Sequence, residues 1–384
     1  MIAPMNNRTR RGFLRTAAAT AVTGLLGGAL LPETLRSQIS PDTTGILPDT
    51  SAPRRTPRRR KKEEPRPLLK PPMLKPGDTI ALVAPASGVS RGEILEATET
   101  LKRLGFAVKT GSHLTKDFGY LAAPDQERAD EFMRFIADPE VKCLMAVRGG
   151  YGVMRILPLL DFEAIRANPK IIIGYSDLTA LVNPIFQKSG VIAFHGPVAT
   201  STFDTYTLDS FRRTVMSNQA AGTFDESEEF SGIRFSEARA ATIVPGKAQG
   251  RLVGGNLSLV AALMGTPYQI DLRGNILFLE EIEEEPYRID RMLMQLALSG
   301  KLGECAGVAL GRFTKCEART RGGEFAVSLS LEQVLRGILE PLRIPTVYGL
   351  PIGHIKSKLT IPVGGLATLD GDARTLTLDE AAVG

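Results

Sequence analysis

The sequence predicts an α/β chain: an N-terminal domain on a doubly wound parallel sheet, Rossmann- or flavodoxin-like, and a smaller C-terminal mixed α/β domain. Three observations carry this. Between residues 77 and 197 short apolar runs alternate with segments of helical period, the pattern of parallel strands joined by crossover helices. Past residue 250 the alternation resumes but closes on three successive β-like runs, which makes that half mixed. A hydrophobic content of 43% with 38 glycines suits globular domains, and 384 residues leave room for two of them behind a leader.

Residues 1–31 read as a twin-arginine signal segment. Arg8, Arg10 and Arg11 precede Gly12-Phe13-Leu14-Arg15 and an apolar run from Ala17 to Leu31, too short to span a bilayer comfortably. An amphipathic or organellar leader is the competing reading. Export to the periplasm or cell envelope is therefore expected, with Gly27-Gly28-Ala29 as a candidate cleavage site and uncleaved anchoring as the alternative. Residues 32–76, rich in Pro and Arg, read as a disordered, solvated linker able to touch the envelope transiently. Residues 1–75 carry 15 Lys+Arg against 5 Asp+Glu, whereas the remainder carries 32 against 37. The net charge of +5 thus belongs to the leader and linker, and the body offers no electrostatic case for nucleic acid.

From residue 77 the pattern turns globular. Residues 79–84 (TIALVA) form a buried-strand run stopped by Pro85. Ser90 opens a helix reaching Leu104, with Ile94, Leu95, Ala97, Leu101 and Leu104 at helical spacing and Gly105 as its stop. Further strands are expected at 106–109, 142–147, 170–173 and 190–194, and helices at 125–137 and 178–186. Residues 198–249 are polar and irregular and read as the crossing between domains. The domain 250–384 contains helical patterns at 257–264, 288–298 and 331–342, and strand patterns at 275–280, 307–310, 359–363, 366–369 and 375–378.

Cysteine and histidine usage narrows the chemistry. Cys143 and Cys305 lie in apolar runs and read as core, Cys316 as partly exposed; no CxxC pair occurs. With His113, His195 and His354 as the only histidines and no HExxH, a zinc enzyme is not expected. No metal or cofactor is implied.

Four segments could carry chemistry. In Lys170-Ile-Ile-Ile-Gly174-Tyr175-Ser176-Asp177 a buried strand runs through a glycine into a serine and then a helix, the outline of a nucleophile elbow. Read alone, the same residues are also an ordinary helix cap. Val147-Arg148-Gly149-Gly150-Tyr151-Gly152 frees backbone N–H groups after a strand and is not GxGxxG; it is equally a glycine-rich turn. Glu280-Glu281-Ile282-Glu283-Glu284-Glu285 closes an apolar strand and could present an acid, or be a solvated junction. His354, in Gly349-Leu350-Pro351-Ile352-Gly353-His354, suits a base because an imidazole titrates near neutrality; His195, just after a strand, is its competitor.

Together these segments resemble the LD-carboxypeptidase (muramoyltetrapeptide carboxypeptidase) family of serine peptidases, which includes the microcin C self-immunity peptidases. The resemblance covers residues 74–380 and rests on LKPGDTIALVAPAS, VRGGYG, GYSDLTAL, FHGP, GRLVGGNLSLV, ILFLEE with EPYRIDRML, and GLPIGH, in that order. It implies Ser176 as nucleophile, His354 as general base, Glu280 as the acid orienting it, and the Gly150 and Asp177 N–H groups as oxyanion hole. Glu281 stands where the family commonly has Asp and Glu283 extends the run, so Glu284 is the alternative acid. Candidate substrate-binding residues are Arg148, Tyr151, His195 and Arg288.

The activity implied is hydrolysis of the L,D bond to the terminal D-Ala of murein tetrapeptides through an acyl-enzyme, in a homodimer. Two rivals stand beside it. One is a microcin-immunity-type peptidase acting on peptide–nucleotide conjugates; the absence of Trp counts against an adenine-stacking pocket. The other is a non-catalytic periplasmic ligand-binding protein.

Overall fold

The apolar run at 79–84 forms β1 (Thr79–Val83), almost wholly buried, as a strand covered on both faces must be. The computed structural model describes residues 66–115, 118–224, 240–318 and 327–384. The twin-arginine segment, the linker up to residue 65 and residues 225–239 of the expected crossing lie outside the described residues. The helix Arg91–Arg103 starts where expected, because Ser90 and Glu93 close a reciprocal capping box. After it come β2 (Ala107–Thr110), β3 (Val141–Ala146), β4 (Ile171–Gly174) and β5 (Ala193–His195). Four further strands are β6 (Gly222–Phe224), β7 (Ala241–Val244), β8 (Lys247–Asn256) and β9 (Ile276–Ile282). The chain ends with β10 (Gly307–Thr314), β11 (Thr346–Tyr348), β12 (Ile361–Val363), β13 (Leu366–Asp370) and β14 (Thr375–Leu378).

Among the described residues these strands build two sheets. The first runs β12-β5-β4-β3-β1-β2, parallel except for β12. Its order reverses between β1 and β3, and the loops leaving those two strands open the crevice where ligands bind in such sheets. The second runs β6-β14-β13-β8-β9-β10-β11-β7, with β8 to β11 parallel at its centre and antiparallel strands at both sides.

Four expectations need correction. Residues 66–76 belong to the fold: Leu69 bridges Val191, and Leu74, 1% exposed, donates its N–H to Val215 O. The crossing at 198–249 is not irregular throughout. It holds the helix Thr205–Val215, capped by Asp204, and supplies β6 and β7 to the outer positions of the second sheet, which thereby has eight strands to the first sheet's six. The run at 359–363 forms a strand of the first sheet, since β12 pairs with β5 (Ile361 opposite His195). Cys316 is fully buried, its Sγ–H reaching Thr314 O at 3.4 Å in the turn after β10; Cys143 and Cys305 are core residues as expected.

Candidate active site

Gly174 ends β4 and Tyr175 is still extended, but Ser176 turns to φ +65° before a short turn enters the helix Thr179–Ser189. A serine in the left-handed region is held there by its surroundings, and such strain clusters at functional turns. The surroundings are visible. A Cβ on Gly149 would lie 2.7 Å from Ser176 Cβ, so only glycine lets the loop after β3 pass so closely. Gly150, at φ +111°, faces Ser87, whose hydroxyl donates to Tyr120 O at 2.6 Å and accepts from Tyr151 N at 3.2 Å. Asp177 Oδ2 accepts from Val153 N at 2.8 Å. Burial pushes that carboxyl up to about 6, against the pull of the Val153 N–H and Arg128.

The helix behind the elbow is clamped to β8. Asn183 accepts from Gly254 N at 2.9 Å and donates to Gly254 O at 2.8 Å, and Thr179 Oγ1 accepts from Asn256 N at 2.9 Å. Gly255 permits this approach: a Cβ there would collide with Thr179. Since β8 pairs with β9, setting Asn256 opposite Glu280, the serine turn and the acid-bearing strand are fixed to one frame.

Consecutive acids of β9 point to opposite faces, as strand alternation requires. Glu280 is fully buried and its Oε2 lies 2.7 Å from His354 Nδ1. Glu281 faces the other way and accepts from Asn256 Nδ2 (2.8 Å), Ser258 N (2.8 Å) and Ser258 Oγ (2.7 Å), securing the start of the helix Leu257–Leu263. Glu284 pairs with Arg288 at 3.7 Å on the surface side. The acid beside the imidazole is therefore Glu280, and Glu284 is not. Gly353, at φ +112°, is required next to His354, because a Cβ there would lie 2.7 Å from Glu280 Cβ and Oε2.

The imidazole of His354 meets the ring of Tyr175, the residue before Ser176, at 4.9 Å between centroids in an edge-to-face arrangement. Residues of the 349–355 loop and of the elbow thus share one end of the first sheet. His195 lies beneath them, 2% exposed, packed against Tyr175 and Phe278. Burial, then His354 and Lys358, push it down to about 3, so it stays neutral. The expectation that His195 lines a substrate surface is corrected: its strand points it inward.

Arg148 is exposed and lines a cavity of about 480 Å³ with Ser87, Ser90, Glu93, Thr115 and Tyr120. Tyr151 is 58% exposed and meets Tyr120 edge-to-face at 5.1 Å. Arg148 and Tyr151 flank the Gly149–Gly150 turn in sequence. Arg288 is engaged with Glu284 and the Tyr287 ring. Sequence reasoning missed Thr179, Asn183 and Asn256, the clamp, and Lys358, whose Nζ lies 4.3 Å from the Tyr175 ring centroid. Asn256 carried a signal, an N-cap residue before the helical run at 257; a mid-helix Asn such as Asn183 carried none.

Fold and site define a two-sheet α/β protein in which a strained serine turn and a half-buried histidine on a buried glutamate are held at one end of a parallel sheet. The chain belongs to the LD-carboxypeptidase family, a family of peptidases: the family's N-terminal domain matches residues 80–196 and its C-terminal domain residues 249–369. It is similar to the probable murein peptide carboxypeptidase of Bacillus subtilis, 39% identical over 81% of this chain and 94% of the relative. The microcin C7 self-immunity protein MccF of Escherichia coli is 31% identical over 82% of this chain and 96% of the relative, and its apo structure superposes with a TM-score of 0.70. The crystal structure of muramoyltetrapeptide carboxypeptidase from Oxalobacter formigenes gives a TM-score of 0.66 at 33% identity, covering 79% of this chain and 98% of that one.

Proposed function

We propose that this chain is a serine-type LD-carboxypeptidase that releases the terminal D-Ala from murein tetrapeptides by acyl transfer. The observation that carries the reading is the 2.7 Å contact between Glu280 Oε2 and His354 Nδ1. A carboxylate at Nδ1 keeps the proton on that nitrogen and leaves Nε2 as the basic one. His354 Nε2 then takes the proton of Ser176 Oγ as the hydroxyl attacks the peptide carbonyl. The Gly150 and Asp177 N–H groups receive the alkoxide of the tetrahedral intermediate. His354 returns the proton to the departing amine of D-Ala, and water repeats the sequence on the acyl-enzyme. Arg148 and Tyr151 are the residues proposed to hold the peptide.

Incubating purified protein with a murein tetrapeptide and following D-Ala by mass spectrometry tests the reading. Ser176→Ala should lose activity by about a thousandfold or more while staying folded. Equal release by the wild type and the variant would end the proposal.

The likeness to MccF supports a second reading, since that protein was solved with aspartyl sulfamoyl adenosine. The same preparation given that compound should leave it intact if the murein reading is right. Export is also proposed: residues 1–31 fused to a reporter active only outside the cytoplasm should deliver it, and an Arg10→Lys, Arg11→Lys pair should block delivery.

A further inference from the structure

We propose that Lys358 is a positioning residue for the Glu280–His354 pair: its buried ammonium is the counter-charge that keeps the Glu280 carboxylate ionised and leaves His354 free to accept a proton. The inference rests on the reading of Ser176, His354 and Glu280 as the reacting set.

Lys358 is 5% exposed, four residues beyond His354 on the same loop. Its Nζ lies 4.3 Å from the centroid of the Tyr175 ring, and the same ring meets His354 at 4.9 Å. The loop is pinned on both sides of it. Lys358 N donates to Thr207 Oγ1 at 3.1 Å, Ser357 Oγ donates to Asp204 Oδ2 at 2.6 Å, and Leu359 N donates to Pro351 O at 2.8 Å. The backbone that carries the Lys358 side chain is therefore fixed to the helix Thr205–Val215 and to the 349–355 loop.

A buried lysine is costly unless its charge is used. The charges acting with it are Glu280 from β9 and Asp204 ahead of the helix Thr205–Val215; it also acts on His195 of β5, and its Nζ meets the Tyr175 ring that His354 touches. Burial pushes the ammonium down to about 8, while Glu280 and Asp204 pull the other way. Asp204 is already committed to Ser357 Oγ and Thr207 N. Glu280 is fully buried, and its Oε1 finds no hydrogen-bond partner among the described residues. A carboxylate in that position would otherwise draw a proton. A fixed cation offsets this. Removing it raises the proton affinity of the pair as a unit.

Lys358→Met keeps the aliphatic stem on Tyr175 and deletes the charge; Lys358→Arg keeps a charge. The readouts are the pH profile of kcat/KM for D-Ala release and the NMR titration of the His354 imidazole in a Ser176→Ala background, which needs no activity. In the Met variant the acid limb and the imidazole titration should both move up by about one pH unit. At pH 6 kcat/KM should then fall about tenfold with KM little changed, and the Arg variant should recover most of it. A limb and a titration that stay put in the Met variant overturn the proposal. If that variant does not fold, lysine side-chain NMR decides: Lys358 should titrate at lower pH in Glu280→Gln than in the wild type, and equal titration overturns it. Activity surviving in Ser176→Ala would instead remove the serine reading, while the imidazole titration would still report on Lys358.

Discussion

Val153 N donates a 2.8 Å hydrogen bond to Asp177 Oδ2, tying the loop after β3 to the residue that follows the strained serine. The bond does two jobs. It starts the short helix Val153–Ile156, and it couples the Gly149–Gly150 backbone to the elbow, so the two N–H groups proposed to bind an alkoxide belong to one rigid assembly.

Asp177 also predicts a pH signature in stability. Burial raises its carboxyl to about 6 in the folded protein, above its unfolded value of roughly 3.9. A raised folded value means that its contribution is full below about pH 4 and is lost as pH climbs through about 6. Relative to Asp177→Asn, the wild type should lose on the order of 2–3 kcal/mol between pH 4 and pH 7. Urea unfolding of both proteins at a series of pH values measures this, and parallel stability curves would contradict it.

Glu280 and Glu284 should separate cleanly. Glu280→Gln deprives Nδ1 of its carboxylate and should lower kcat by about a hundredfold or more, with little change in KM. Glu284→Gln breaks only a partly exposed pair with Arg288 and should keep kcat within about threefold. Steady-state D-Ala release decides, and a reversed ranking would move the acid to Glu284.

Glycine geometry gives a paired control. Gly353→Ala must thrust a methyl against Glu280 at a φ of +112°, so kcat should fall more than about tenfold even though the substitution adds one carbon. Gly337→Ala, inside the helix Leu331–Leu339 with open space around it, should instead stabilise by about 0.5–1 kcal/mol and leave activity alone. Melting curves alongside kinetics test both halves.

Glu281 is predicted to be structural. Glu281→Ala strands donors from Asn256 and Ser258 at the start of a helix and should cost about 2–4 kcal/mol. Chemical denaturation measures the cost, and a loss of activity with full stability would show that Glu281 acts in the chemistry.

Much of this was legible along the chain. Ser90 and the helical spacing up to Leu104 announced the first helix, and the apolar runs at 79–84 and 170–173 announced two parallel strands, because capping and periodicity are local properties. The Gly-Tyr-Ser-Asp turn was recognisable for the same reason. Residues 222–224 and 241–244 were harder, each a strand of three or four residues with a partner far off in sequence, and for 361–363, read as a strand, the sequence did not show which sheet it joins. Which glutamate serves the imidazole was equally hidden, since a run of acids has no internal mark of which side chain faces inward.

By itself, the sequence determined the alternating α/β plan and the strand–Gly-Tyr-Ser-Asp–helix outline, since those follow from neighbours within a few residues. The serine and histidine worth testing came from the family resemblance of the ordered motifs. Only the tertiary structure decided that Glu280 rather than Glu284 meets His354, that His195 is buried, and that Lys358 sits over Tyr175. Each of those outcomes depends on packing between segments dozens to nearly two hundred residues apart, and burial on a given face is a property of the assembled sheets, not of the strand.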